Sequence, residues 1–297
     1  MVTTTGRNIV SSERTIILFL VLVALGVRLI ALERICLIAR DGIHYVSLAR
    51  QFLSGSFAEA LSHPFHPLYS LLMALAGGFI GDVELAGKLI SLLLGSVTVV
   101  PVYLLGRTIY DSKVGAVAGL LFAFHPYCVR FSVDVLSDST FLCFFGFAFY
   151  LGVRAAKSDR KAFLWSLGAG GISGLAYLTR PEGIIVPGFL LGWFILAWIG
   201  NPDKNRARTI GMATGLVLTF FCVAGPYLGF IKSYTGQWQI SMKPSVSKVM
   251  THVVRGTPAR GATTSPAEIV GDPGRGDENS LVRAPAKPKE GQPRMTL

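Results

Sequence analysis

Apolar residues gather along this chain into long runs divided by short polar connections. Runs at 15–32, 85–106, 114–131, 139–153, 162–178, 183–199 and 209–231 approach the roughly 20 apolar residues that carry a helix across a bilayer. They predict seven spanning helices. An eighth run, 68–80, follows His66-Pro67 and is short, as interfacial or re-entrant segments are. Loop charge arbitrates. With 68–80 left out of the count, Arg7, Arg14, Arg107, Lys113, Arg154, Lys157, Arg160, Lys161, Lys204, Arg206 and Arg208 all fall on one side. The positive-inside rule makes that side cytoplasmic; counting 68–80 as a span would turn the three later basic loops outward. The pattern therefore predicts an all-α, polytopic helix bundle. Its parts are a cytoplasmic N-terminus over 1–14, a membrane module over 15–243 and a long outer loop over about 33–84. Beyond Trp238 there is no aromatic residue, and 244–297 is rich in Pro, Gly, Lys and Arg. Such a segment buries too little apolar surface to offset its ordering entropy, so it is expected to be disordered.

Composition sharpens this picture. The chain is 51% hydrophobic and 15% charged, whereas soluble domains carry about 25% charge. A formal charge of +11 would suggest nucleic acid in a soluble protein; here the basic residues lie in the connections, and no nucleic-acid partner is expected. The run Thr15–Leu32 is longer than a signal-peptide core and no clean cleavage site follows it, so it is expected to remain as the first span. Arg28 inside it is expected to snorkel outward. Cys36, Cys128, Cys143 and Cys222 show no CxxC spacing, which indicates neither a zinc site nor a disulfide framework, although Cys36 and Cys128 could both approach the outer face. Walker A, GxSxG and GxGxxG patterns are absent, so no nucleotide site is expected.

The acids and imidazoles collect in three outer connections, 33–84, 132–138 and 179–182. In Arg40-Asp41-Gly42-Ile43-His44-Tyr45, Asp41 either caps a short helix over 42–53 or serves as a proton acceptor beside a low-dielectric surface. Tyr45, Leu48, Ala49, Phe52 and Leu53 share one face of that helix, which suits the membrane interface. Asp138 opens the span 139–153 and is read either as its N-cap or as a second functional carboxylate; Asp134, one turn earlier, could replace it. In Thr179-Arg180-Pro181-Glu182-Gly183, Arg180 and Glu182 either pair with each other or leave the guanidinium to grip a lipid phosphate bidentately. His63 and His66 make a divalent cation possible. Pro64 and Pro67 hold that segment off helical geometry, however, and no HExxH pattern exists, so polar lining by His44, His63 and His66 is the simpler reading.

These stretches resemble the GT-C class of integral membrane glycosyltransferases. The likeness is greatest to the bacterial relatives of protein O-mannosyltransferases and of the transferase that adds aminoarabinose to lipid A. It is carried by Asp41-Gly-Ile-His-Tyr45, His66-Pro-Leu-Tyr69, Glu84-Leu-Ala-Gly-Lys-Leu-Ile-Ser91, Pro101-Val-Tyr-Leu-Leu-Gly-Arg107, His125-Pro126, Ser137-Asp-Ser139, Thr179-Arg-Pro-Glu-Gly183 and Tyr234-Thr-Gly-Gln-Trp238. The resemblance runs over about residues 12–243. It implies a multi-pass enzyme of the plasma (inner) membrane with its site on the extracytoplasmic face, a polyprenyl-phosphate sugar as donor, membrane lipids as neighbours and a hydroxyl acceptor. It also implies a catalytic acid in the first outer loop, where Asp41 matches. The usual Asp-Glu pair is broken here by Gly42, which leaves the second carboxylate's role to Asp134 or Asp138. Asp41 and Asp138 are thus the expected catalytic residues, with His44, Tyr45, His66, Asp134, Arg180 and Glu182 as substrate-binding candidates. Such enzymes continue into further helices and an outer domain, so the chain reads as C-terminally truncated. Two rivals remain: an inactive or partner-dependent subunit, and a transporter. The transporter reading lacks both the charged spans and the repeated halves it calls for.

Overall fold

Backbone groups within a hydrocarbon layer must pair inside their own segment, and every regular element among the described residues is a helix. The computed structural model describes residues 4–34, 38–158, 160–200 and 206–242. In chain order they form α1 (Thr4–Leu32), α2 (Arg40–Leu53), α3 (Phe57–Leu61), α4 (Pro67–Ile80), α5 (Val83–Val97), α6 (Val99–Ile109) and α7 (Ser112–Phe124). There follow α8 (Pro126–Ser132), α9 (Asp138–Lys157), α10 (Ala162–Thr179), a 3-10 turn (Pro181–Ile184), α11 (Ile185–Ile199) and α12 (Arg206–Thr235).

Six helical stretches are long and apolar enough to cross a membrane, and a seventh arises if α7 and α8 count as one bent span. They coincide with the seven predicted runs. The bend between α7 and α8 measures 61° and falls at His125-Pro126. Proline lacks the amide that would continue the ladder and pushes the preceding residue toward extended backbone, where His125 lies, with φ −63° and ψ 119°. Helix α4 has 14 residues, about 21 Å at 1.5 Å per residue, short of the roughly 30 Å hydrocarbon core. Two boundaries differ from expectation. Residues 4–14 continue α1 instead of forming a separate segment, and α2 starts at Arg40 instead of Gly42. The tail 244–297 and Cys36 lie outside the described residues.

Small residues bring the helices close. Gly170 and Gly174 of α10 face α12, where an added Cβ at Gly170 would run into the Leu216 carbonyl and Thr219 Oγ1. Thr219 Oγ1 donates across this contact to the Leu167 carbonyl at 2.8 Å. Gly106 of α6 and Gly115 of α7 leave similarly little room between their backbones. Close backbone approach through Gly, Ala and Ser is how membrane helices gain packing without a hydrophobic driving force between them.

Arg28 corrects an expectation. It is fully buried (0% exposed) instead of snorkelling. Nη1 donates to the carbonyls of Ala24 (3.0 Å) and Ala123 (3.3 Å), and the guanidinium lies 5.9 Å from the Phe122 ring. The Pro126 break leaves the last carbonyls of α7 without helical donors, and Arg28 supplies one. At one end of the bundle Arg107 pairs with Glu13, and Lys157 Nζ donates to the Thr108 carbonyl at 2.5 Å. There too Arg208 Nη2 donates to the carbonyls of Ala156 (3.0 Å) and Ser158 (2.7 Å) at the end of α9. The basic connections thus share one end of the molecule, and the acidic ones share the other.

Candidate active site

Helix α2 buries one face, Gly42, Tyr45, Val46, Leu48, Ala49 and Phe52, against α4 and the segment before α9. Leu53, expected on the same face, is exposed. The Tyr45 ring packs 4.9 Å from Phe65 and, edge-on, 4.9 Å from Tyr69. Its hydroxyl reaches Ser137 Oγ at 2.8 Å, so α2 is tied to the residue just before Asp138. Burial pushes the Tyr45 phenol up to about 12, so it stays protonated and can donate across the working range. The hydrogen bond with Ser137 and the charges of Arg180, Asp138 and Asp41 modify this shift in smaller measure.

The segment 133–137 is strapped down before α9 begins. Asp134 is buried, and its Oδ1 accepts from the amides of Ala39 (3.0 Å) and Val135 (2.7 Å). Ser91 Oγ donates to the Leu136 carbonyl at 3.0 Å and meets the Tyr69 hydroxyl at 2.7 Å. Asp134 therefore pins the two connections together. Asp138 stands in the first turn of α9, where the N-cap position is Ser137 and no side chain caps the helix. The capping reading of Asp138 is not realised. Its Oδ1 instead accepts from Arg180 Nη1.

Arg180 follows α10 in extended backbone, φ −149° and ψ 143°, and Pro181 then occupies the first position of the 3-10 turn, as expected for a residue with no amide proton. Arg180 Nε also approaches Glu182 Oε2 at 3.6 Å. The pairing with Glu182 is present, joined by a second acid that sequence spacing could not show. Asp41 occupies the first turn of α2, whose N-cap is Ala39 with no side-chain cap bond, so the capping reading fails there as well. Its position still favours negative charge, since first-turn amides point toward it. Among the described residues no hydrogen bond or ion pair engages the Asp41 carboxylate.

The histidines separate. His66 is 2% exposed, with Nδ1 2.6 Å from the Tyr177 carbonyl and its ring edge-on to Tyr177 and Tyr227. It joins α4 to α10 and α12. His44 and His63 lie with ring centroids 5.7 Å apart, beside Phe65. His63 Nδ1 accepts from the Phe65 amide at 3.1 Å, and burial, then the neighbouring His44, holds its pKa below the usual imidazole value. Among the described residues no group of three or more His, Cys, Asp or Glu side chains is gathered as a metal ion requires. Leu48 and Phe52 pack into the core under α4 instead of facing lipid along their whole length; one edge of Phe52 lines a groove. This groove, of about 310 Å³, runs between α3, α4, α10 and α12, and its walls include Leu61, Leu71, Leu178, Val223 and Phe230. Leu178 lies two residues before Arg180. Sequence reasoning missed Phe65, Tyr69, Ser91 and Ser137. The available signal was a tyrosine and a serine inside otherwise apolar runs.

This arrangement defines a class: a GT-C membrane glycosyltransferase fold. Residues 62–227 match the family of dolichyl-phosphate-mannose-protein mannosyltransferases, and the chain belongs to that family. Asp138, Arg180 and Glu182 fall within the matched range; Asp41 and Tyr45 precede it. Among solved structures, the S. cerevisiae protein O-mannosyltransferase complex bound to the sugar donor superposes with a TM-score of 0.62 at 19% identity. It covers 80% of this chain and 34% of its own. The Archaeoglobus fulgidus oligosaccharyltransferase AglB, in complex with an inhibitory peptide and a dolichol-phosphate, gives 0.55 at 16% identity, covering 82% and 36%. An Archaeoglobus fulgidus oligosaccharyltransferase in the apo form gives 0.58 at 15%, covering 84% and 40%. The chain thus spans a little over a third of the length of these structures, and the likeness to them is one of fold. No curated protein sequence matches the chain.

Proposed function

We propose that this chain transfers a sugar from a polyprenyl-phosphate donor to a hydroxyl acceptor at the extracytoplasmic end of the bundle, with inversion at the anomeric carbon. The observation that carries this reading is the Arg180–Asp138 pair at the start of α9, beside the Ser137–Tyr45 hydrogen bond that ties in α2, with the unengaged Asp41 in the first turn of that helix. Asp41 takes the proton of the acceptor hydroxyl as its oxygen forms the new bond to the anomeric carbon. The bond from that carbon to the phosphate oxygen breaks, and its electron pair leaves with the phosphate. Arg180 stabilises the charge developing there, where electrostatic help counts most. Asp138 orients the sugar or the acceptor, with Glu182 and His44 at the rim. The apolar groove that begins beside Leu178 suits the isoprenoid tail, because it opens two residues from the guanidinium meant for the phosphate. Asp134 and His66 hold the frame.

The test is sugar transfer from a radiolabelled polyprenyl-phosphate sugar pool in membranes containing residues 1–297, beside Asp41→Asn. Loss of about 10² to 10⁴ in rate, the usual worth of general-base help, is the expected result. Full activity in Asp41→Asn would remove Asp41 as the base. Transfer by neither protein would favour a subunit that works only with a partner.

A further inference from the structure

Arg180 meets two acids with one positive charge. Asp138 occupies Nη1 and Glu182 faces Nε at 3.6 Å. A guanidinium grips a phosphate through a pair of parallel N–H groups on one edge of its fork. Asp138 accepts from one donor of the fork, and Glu182 stands beside Nε beyond hydrogen-bonding distance, so a phosphate arriving at Arg180 meets the negative charge of both and competes directly with Asp138 for the guanidinium. Asp138 is the acid in direct hydrogen-bonding contact, and both partners are largely sheltered, with side chains 26% and 30% exposed. Glu182 is longer-ranged and half exposed.

From this geometry we propose that Asp138 is a stand-in for the donor's phosphate: the donor displaces it from Arg180, and the released carboxylate then positions the acceptor hydroxyl. The released group has a defined place to go. It sits one residue after Ser137, whose hydroxyl is held by Tyr45 of α2, the helix whose first turn carries Asp41. Before the donor arrives Asp138 Oδ1 is held by Arg180. Afterwards it is a free carboxylate beside the reacting carbon. The exchange imposes an order, donor first and acceptor second, and keeps the site from engaging a hydroxyl when there is no sugar to transfer. This rests on the reading of Arg180 as the partner of the lipid phosphate.

The experiment measures binding of farnesyl phosphate, a short polyprenyl phosphate, to the full chain in phosphatidylcholine nanodiscs. Wild type, Asp138→Asn, Glu182→Gln and Arg180→Met are compared, each checked for an intact melting transition. Removing the competing charge should tighten binding about threefold to tenfold in Asp138→Asn, as expected for a partly exposed ion pair. Glu182→Gln should tighten it by about twofold, since its contact is longer and wetter. In the transfer assay Asp138→Asn should lower the donor KM and kcat together; a merely structural role would raise KM. If Asp138→Asn leaves binding unchanged or weaker while Arg180→Met weakens it by about tenfold or more, the exchange is wrong and the phosphate role of Arg180 stands. If Arg180→Met binds as wild type does, the phosphate role itself falls, and the exchange with it. Should Asp138→Asn fail to fold, an unchanged affinity in Glu182→Gln overturns the competition on its own.

Discussion

His63 shows how a single ring can report on the outer cluster. Burial, followed by the nearby His44, lowers its pKa from 6.5, and its Nδ1 is already an acceptor for the Phe65 amide. Protonating Nδ1 would break that bond and place positive charge beside a second imidazole. The sign follows from linkage. A group that binds its proton less readily when folded contributes stability that is fully present above the unfolded pKa and is lost as pH falls through the folded one. The melting temperature should therefore drop as pH is taken from 7.5 toward 5, and His63→Gln should flatten part of that slope. A slope identical in the variant would place the acid sensitivity elsewhere. At this scale the sequence named the chemistry-bearing residues better than their partners. Asp41, Asp138 and Arg180 were legible because charged groups beside apolar runs demand a reason. That Asp138 meets Arg180 was not legible, since 42 positions separate them and only the packing of α9 against α10 brings them together. Asp134 and His66, read as site residues for the same reason as Asp41, also make buried bonds to backbone groups.

The elements themselves were easier to read than their edges. Hydropathy marked each run, because crossing a bilayer imposes length and composition at once. It could not mark the turn at Thr98 that divides α5 from α6; it did carry the run 209–231 through Pro226, which sits inside α12, where neighbouring helices can re-satisfy the freed backbone groups. The contact between α10 and α12 is the firmest consequence of sequence at this scale. Gly170 lies against backbone, the Leu216 carbonyl, and against Thr219 Oγ1, so neither side can yield by a rotamer change alone. Gly170→Ala should destabilise the protein by about 1–3 kcal/mol, the usual cost of overpacking, and Gly170→Val by more. Gly171→Ala is the control, because an added Cβ there meets nothing within 4 Å. Thermal unfolding in detergent reads the difference; equal melting temperatures for Gly170→Ala and Gly171→Ala would show that the two helices are not in close contact.

For the whole molecule, the separation of charge by end links fold to function. Arg107, Lys157 and Arg208 bond at one end, while Asp138 and Arg180 pair at the other, so the side on which the site opens depends on which end is which. Under the positive-inside rule the basic end is expected to be the cytoplasmic one. The assignment then requires that residues of the first long connection face outward, together with the groove that opens between α3, α4, α10 and α12. Exposed positions at the two ends make this measurable. With the four native cysteines replaced by serine, Glu59→Cys should react in intact cells with a membrane-impermeant maleimide. Lys113→Cys should react only after the membrane is permeabilised. Labelling of Lys113→Cys alone in intact cells would invert the molecule and put the site on the cytoplasmic side, where nucleotide sugars are available. The polyprenyl-phosphate donor would then rest on the family likeness and the apolar groove beside Leu178 alone.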